Sequence, residues 1–242
     1  ALSRETELNQ MKSRFISMTS HEFRTPLTSI QSSAELLSML YSEGEDETSR
    51  KSMRFLSRIL SEVMRLTSLM DDILVLGRVE AGRIVLNPVE TDLAALLTET
   101  FSDRKLLYND DRSIRVVYKG IPRLLRLDPV LFTHILNNIG TNALKYSKGK
   151  PEPVLTVEWL EDMVRLTMCD EGIGIPEADV ANIFQSFHRG ANVSNIQGTG
   201  LGLVIVKQFT ELHHGIIQVK SSENNGTCIT LEFPFHKLQE LV

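Results

Sequence analysis

The stretch VRLTMCDEGIGI, residues 164–175, runs an alternating strand pattern straight into an aspartate and a Gly-x-Gly turn. An aspartate leaving a strand at such a turn can present its carboxylate where the backbone approaches a flat ligand closely, because glycine lacks the Cβ that would hold the two apart. Asp-x-Gly turns are common, so the meaning of this one depends on what surrounds it. Working outward, short elements alternate on both sides. Strands are predicted over 83–86, 113–118, 123–127, 154–160, 163–169, 215–221 and 227–233, and helices over 92–103, 129–146, 177–185 and 200–213. The last two strands close through Glu223-Asn224-Asn225-Gly226, a turn sequence. Strands mixed with helices in this order predict an α/β sandwich with helices on one face of the sheet.

Upstream of Gly82 the pattern is different. Residues 2–41 read as helix: Leu8, Met11, Phe15 and Met18 form one stripe, and Phe23, Leu27, Ile30, Ala34, Leu37 and Tyr41 another. The two stripes slip by one residue beside His21, and Pro26 removes the backbone bond to Glu22, so a bend is expected there. SEGEDETSRK, 42–51, has no apolar anchor and reads as a loop. Residues 52–80 read as a second helix with two adjacent apolar stripes: Leu56, Leu60, Val63, Met70 and Leu74, then Phe55, Ile59, Leu66, Leu69, Ile73 and Leu76. One partner helix cannot cover so wide a face. A four-helix bundle made by two chains would, and so would packing on the chain's own second half. The expected organisation is two domains, 1–82 and 83–242.

Composition narrows the classes. The 242 residues are 42% hydrophobic with a net charge of −5, and no basic block points to nucleic acid. No apolar run reaches the ~20 residues of a membrane span. Cys169 and Cys228 are far apart and outside any CxxC, which reads as two small buried hydrophobes in a reducing compartment. His134, His188, His213, His214 and His236 fit no metal-ligand spacing. The chain opens inside a helical pattern, as a piece of something longer would.

Two further segments carry chemistry. Helix 129–146, PVLFTHILNNIGTNALKY, sets Phe132, Ile135, Ile139 and Ala143 on one face and His134, Asn138, Asn142 and Lys145 on another. Amide oxygens are hard ligands and an ammonium is a point charge, so this polar face suits a phosphate and its magnesium, though a solvated face would look the same. GTGLGL, 198–203, opens the last helix with glycines whose amides are free for anionic oxygens. Its spacing is not that of the dinucleotide fingerprint, and no strand feeds it. Between the two glycine motifs, IFQSFHRG and ANVSNIQ suit a mobile lid.

In this order (Asn-rich helix, strand–DxGxG, IFxxFxR, lid, GxGxG–helix, hairpin) the second half resembles the ATP-binding domain of sensor histidine kinases, which share their nucleotide fold with gyrase-type ATPases. FISMTSHEFRTPLTSI, 15–30, resembles the phosphoacceptor box of the same family, and 52–80 its second dimerisation helix. The resemblance spans residues 11–235. It implies an antiparallel helical hairpin that dimerises as a four-helix bundle, followed by the α/β ATP-binding domain.

The resemblance also implies a role for each site residue. His21 would be the phosphoacceptor, its neutral imidazole offering a lone pair near pH 7. Glu22 would orient the ring, and Thr25 would align a water for dephosphorylating a partner regulator. Asn142 would be the magnesium ligand with Asn138 beside it, Lys145 would touch phosphate, and Tyr146 would line the pocket. Asp170 would receive the adenine amino group, and Gly172 and Gly174 would let the chain approach the base. Gly198, Gly200, Leu201 and Gly202 would form the phosphate loop, and Arg189 would steady the γ-phosphate. ATP, Mg2+, a homodimeric partner, a response regulator and an upstream sensor domain come with the family, as does a cytoplasmic location for this part of a protein that can be membrane-anchored. The sequence departs from the family at Gly140, where a bulky apolar residue is usual, and at Glu171, which adds a negative charge beside the base site. Two rivals use the same second half: an ATPase that forms no phosphohistidine, and a signalling scaffold with a degenerate nucleotide site.

Overall fold

A computed structural model of the chain describes residues 23, 26–37, 39, 47–80, 84–102, 112–193, 196 and 198–235. It divides into two compact units, residues 1–75 and 76–242, a division a few residues earlier than the expected boundary at 82. His21, Glu22 and Thr25 lie outside the described residues, as do the stripe through Leu8 to Met18 and the phase slip beside His21.

In the first unit, residues 26–37 form helix α1, and α2, Glu47–Glu80, lies mostly in it and ends in the second. Helix α2 therefore begins inside the segment 42–51 expected to be loop. ETSRK lacks apolar periodicity but contains no helix breaker, so the backbone continues past the part that packs. The Arg58 guanidinium donates to Ser29 Oγ at 3.0 Å, tying the two helices. The two stripes of α2 have different surroundings. Leu69 and Leu76 are buried, whereas Leu56, Leu60, Val63, Met70 and Leu74 are 45–61% exposed.

In the second unit, a five-stranded sheet has the order β2-β4-β5-β7-β6: β2 Arg115–Lys119, β4 Val154–Trp159, β5 Met163–Asp170, β7 Thr227–Pro234 and β6 Ile216–Ser221. Only β2–β4 pairs parallel; the remaining pairs are antiparallel. Alternation decides the layers. Leu155, Val157, Val164, Leu166, Met168, Leu231 and Phe233 form the buried face, with helices α3 (Leu93–Ser102), α4 (Pro129–Tyr146) and α6 (Gly202–Leu212) contributing Leu97, Phe132, Ile135, Ile139, Val206 and Phe209 to the same core. The other face carries Lys119, Glu158, Arg165 and Glu232 in a chain of cross-strand ion pairs. The single helical layer is the one expected.

Local expectations also change here. Residues 84–86 are not a strand. Pairing starts instead at β1, Val89–Thr91, directly after Pro88, which has no N–H to give, and β1 joins β3, Leu125–Leu127, in a separate two-stranded sheet. The helix expected over 177–185 is only α5, Glu177–Val180. Turns follow it, and Phe187 takes a left-handed backbone (φ 64°) that no helix can continue through. At Gly140, where the sequence departs from the family, Phe101 and Ile114 occupy the space a Cβ would take, each with an atom 2.8 Å from its position.

Cys169 and Cys228, expected as free thiols, are joined in a disulfide. They face each other in the β5–β7 register with Cα atoms 4.1 Å apart. Their sequence separation is 59, and only strand pairing brings them together.

Candidate functional site

Helix α4 is the platform. Asp128 caps its N-terminus, accepting from the N–H of Val130 and Leu131, and Pro129 occupies the first turn, where its missing N–H costs nothing. The other Asp128 oxygen accepts from Asn87 N–H, and the Asp128 N–H donates to Nε2 of His213, a fully buried histidine whose Nδ1 faces Phe209 O at 2.7 Å. This fixes His213 as the neutral tautomer with the proton on Nδ1, and burial pushes its pKa down. One of the five histidines set aside from metal binding thus has a structural role.

The polar face of α4 comes out as expected. Asn138 donates to His134 O at 3.0 Å and turns its Oδ1 towards Gly202, where a Cβ would lie only 2.5 Å from it. Asn142, one turn on, is half-buried, and its carboxamide makes no hydrogen bond among the described residues. Lys145 Nζ lies 3.2 Å from the Tyr146 hydroxyl and 4.6 Å above its ring, and a Cβ on Gly198 would come within 2.7 Å of it. Gly198 and Gly202 thus sit against the lysine and asparagine that share the α4 face.

The 170–175 loop closes the other side. Asp170 Oδ1 accepts from Gly172 N–H at 2.8 Å. Burial raises the pKa of this carboxyl, while the N–H groups of Gly172 and Thr227 pull it back. Burial also raises that of Tyr146, against the opposing field of the Arg189 guanidinium. Gly172 fits so tightly that a Cβ would lie 2.3 Å from Tyr146 O. Gly174 has φ 65° and faces Ser222 O, which a Cβ would meet at 1.9 Å. Asn224 N–H donates to Ile173 O, and Ile175 N–H to Ser221 Oγ.

Two expected residues behave differently. Leu201 is fully buried and its N–H donates to Thr199 Oγ1, so it anchors the 198–202 loop from the core. Arg189 turns inward: one guanidinium nitrogen donates to both Val193 O and Ile196 O, holding the turn Ala191–Val193 together. Gly200, at φ 70°, accepts from Phe187 N–H through its carbonyl and so joins the lid to the 198–202 loop.

Sequence reasoning missed the lid fasteners. Asp179 Oδ2 accepts from Ala191 N–H at 2.9 Å, with Oδ1 3.4 Å from His188 Nε2, and Asn192 donates to Gly174 O at 3.0 Å. No spacing signals these bonds, because they join α5, the lid and the 170–175 loop. Among the described residues no group of three or more His, Cys, Asp or Glu could hold a metal. A cation here would draw on the Asn142 amide oxygen and on phosphate, and the half-buried, unbonded carboxamide fits that demand. No described helix is long and apolar enough to cross a membrane.

Two family models match the chain. Residues 127–237 match the histidine kinase-, DNA gyrase B- and HSP90-like ATPase model, and residues 11–82 the His Kinase A phospho-acceptor domain. The chain is 31% identical over 249 aligned positions to the sensor histidine kinase WalK of Bacillus subtilis (strain 168), covering 99% of this chain and 39% of that protein. It is 30% identical over 243 positions to the sensor protein kinase WalK of Staphylococcus aureus, covering 99% and 57%. The chain thus spans well under two thirds of these relatives. Histidine kinase AdeS of Acinetobacter baumannii shares the fold with TM-score 0.64 at 22% identity, covering 89% of this chain and 98% of that one. Full-length ShkA in complex with AMPPNP shares it with TM-score 0.62 at 24% identity, covering 92% and 46%.

Proposed function

Because the chain belongs to the histidine kinase family, with a phosphoacceptor and an ATP-binding domain, we propose that it phosphorylates itself on His21 from ATP and passes the phosphoryl group to an aspartate of a response regulator. The observation that carries the reading is the glycine-lined cradle around the end of α4. Gly172, Gly198 and Gly202 each approach an α4 residue so closely that a Cβ would intrude. Such a cradle leaves backbone, a carboxylate, an amide and an ammonium facing one ligand, which suits a nucleotide.

Asp170 accepts the adenine amino group, and Tyr146 lines the pocket. Lys145 and the open amides at the start of α6 receive phosphate oxygens, and Arg189 leaves its lid carbonyls to meet the γ-phosphate. Asn142 would hold Mg2+, which neutralises phosphate charge when bound. A ring nitrogen of His21 attacks the γ-phosphorus, the bond to the β-phosphate oxygen breaks, and ADP leaves. Glu22 accepts the other ring N–H and steadies the positive charge that develops on the imidazole. The phosphoryl group then moves to the regulator's carboxylate. Thr25 holds the water that later hydrolyses the phosphoaspartate.

The exposed stripe Leu56, Leu60, Val63, Met70 and Leu74 is the seam of a homodimer in this reading. A sensor domain precedes the chain in the full-length protein, and this part lies in the cytoplasm.

Incubation with γ-labelled ATP and magnesium, with mapping of the labelled residue, tests the proposal. Acid-labile, alkali-stable label on His21 is expected. ATP hydrolysis without protein label would favour the gyrase-like ATPase, and absence of nucleotide binding would leave only the scaffold.

A further inference from the structure

Arg112 belongs to none of the motifs that carry the nucleotide site, and it stands 26 residues before Asn138. Its guanidinium nevertheless reaches the C-terminus of α4. Nη2 donates to Leu144 O at 2.7 Å. Nη1 donates to Ser147 O, to Ser147 Oγ at 3.0 Å and to Lys150 O at 3.1 Å. The last carbonyls of a helix have no partner within it, and a cation beside them also meets the negative end of the helix dipole.

The carbonyls Arg112 collects lie on either side of Lys145 and Tyr146. The carbonyl of Tyr146, between them, is used differently: it accepts from Ile173 N–H at 3.1 Å, and Gly172 sits directly against it. Lys145 Nζ faces Gly198 in the phosphate loop. The two residues on which both glycine loops rest are therefore held by one side chain gripping 144 and 147. Ser147 is 1% exposed and also donates to Ala143 O at 2.6 Å, so the clamp has a fixed footing.

We propose that Arg112 is a positioning residue for nucleotide binding, setting the height of the 170–175 loop through the backbone of Lys145–Tyr146 without touching the ligand. The inference rests on the nucleotide reading of this site. A lysine cannot reproduce the clamp, because a single ammonium lacks the planar fork that reaches Leu144 O and Ser147 O together.

The test uses Arg112→Ala and Arg112→Lys in the full 242-residue chain. ATP and adenosine dissociation constants and the autophosphorylation rate at saturating ATP are measured on protein whose folded fraction is established by circular dichroism. For the alanine variant both dissociation constants should rise about tenfold by the same factor, and the saturated rate should change less than about twofold. The lysine variant should lie between it and the wild type. If Arg112→Ala fails to fold, the lysine variant alone decides by the same split. Unchanged affinity in folded variants, or a lost saturated rate at retained affinity, overturns the proposal. A wild-type chain that binds no ATP overturns the nucleotide reading itself.

Discussion

The carbonyl oxygen of Tyr146 accepts the N–H of Ile173 at 3.1 Å, making the last turn of α4 and the DEGIGI loop a single piece of backbone. The asparagines and lysine of one motif and the aspartate of the other are therefore held at a fixed separation before any ligand arrives. Preorganisation of this kind lowers the ordering cost of binding.

Asp170→Asn should separate binding from stability. Burial raises the pKa of the Asp170 carboxyl, so the folded state disfavours its charge. Its folded pKa lies above the unfolded one, which makes the unliganded fold most stable below the unfolded value and less stable as pH rises through the folded value. A neutral amide removes that penalty at pH 7 but accepts less strongly from an adenine amino group. The variant should bind ATP about tenfold more weakly, ~1.4 kcal/mol, while its thermal midpoint without nucleotide rises. A calorimetric titration and a melting curve check the two signs separately.

Acid should loosen the ATP-binding unit through His213. Burial lowers the pKa of this ring, with His214 adding to the shift and Phe209 O and Asp128 opposing it. The unfolded chain therefore takes up a proton before the folded one does. Stability should be level above pH ~6.5 and fall below it, by at most ~1.4 kcal/mol per pH unit for this one site. Urea unfolding on either side of that pH measures the drop, and His213→Gln should reduce it.

Reduction of the Cys169–Cys228 bond should destabilise the same unit. The bond closes a loop across 59 residues, worth about 4 kcal/mol in a chain-entropy account. Urea midpoints with and without a dithiol reductant test this. The Cys169→Ser, Cys228→Ser double variant should match the reduced protein and ignore the reductant.

Substitutions in the phosphoacceptor box should divide the activities. His21→Ala should abolish protein label and leave ATP affinity nearly intact, because acceptor and nucleotide groups belong to different domains. Thr25→Ala should keep autophosphorylation within a few fold and lose most phosphatase activity towards the phosphorylated regulator. If both activities fell together, Thr25 would serve the bend expected from Pro26.

The parts of this molecule legible from sequence are those written in local pattern. Alternation in β4 and β5 and the 4-4-3 spacing of His134, Asn138, Asn142 and Lys145 placed the sheet layers and the polar face of α4. Order along the chain then joined motifs that are individually weak. What stayed hidden depends on tertiary partners. Ile84 to Leu86 look like strand but find no edge to pair with. Gly140 departs from the family's bulky residue because Phe101 and Ile114, distant in sequence, fill its place. The inward turn of Arg189, the grip of Arg112 on residues 144 and 147, and the union of two distant cysteines each link segments whose spacing carries no signal.

The disulfide also changes the topology of the ATP-binding unit. From Cys169 the chain passes through the 170–175 loop, α5, the lid, the 198–202 loop, α6 and β6 before returning to Cys228, so all of these elements lie within one covalent macrocycle. A single cut by a protease anywhere in the lid would open the ring without separating its ends. The nicked molecule would keep Asp170 and Gly198 on one connected framework, migrate as an uncut chain in the absence of reductant, and fall into two fragments only once the bond was reduced and the strands unpaired.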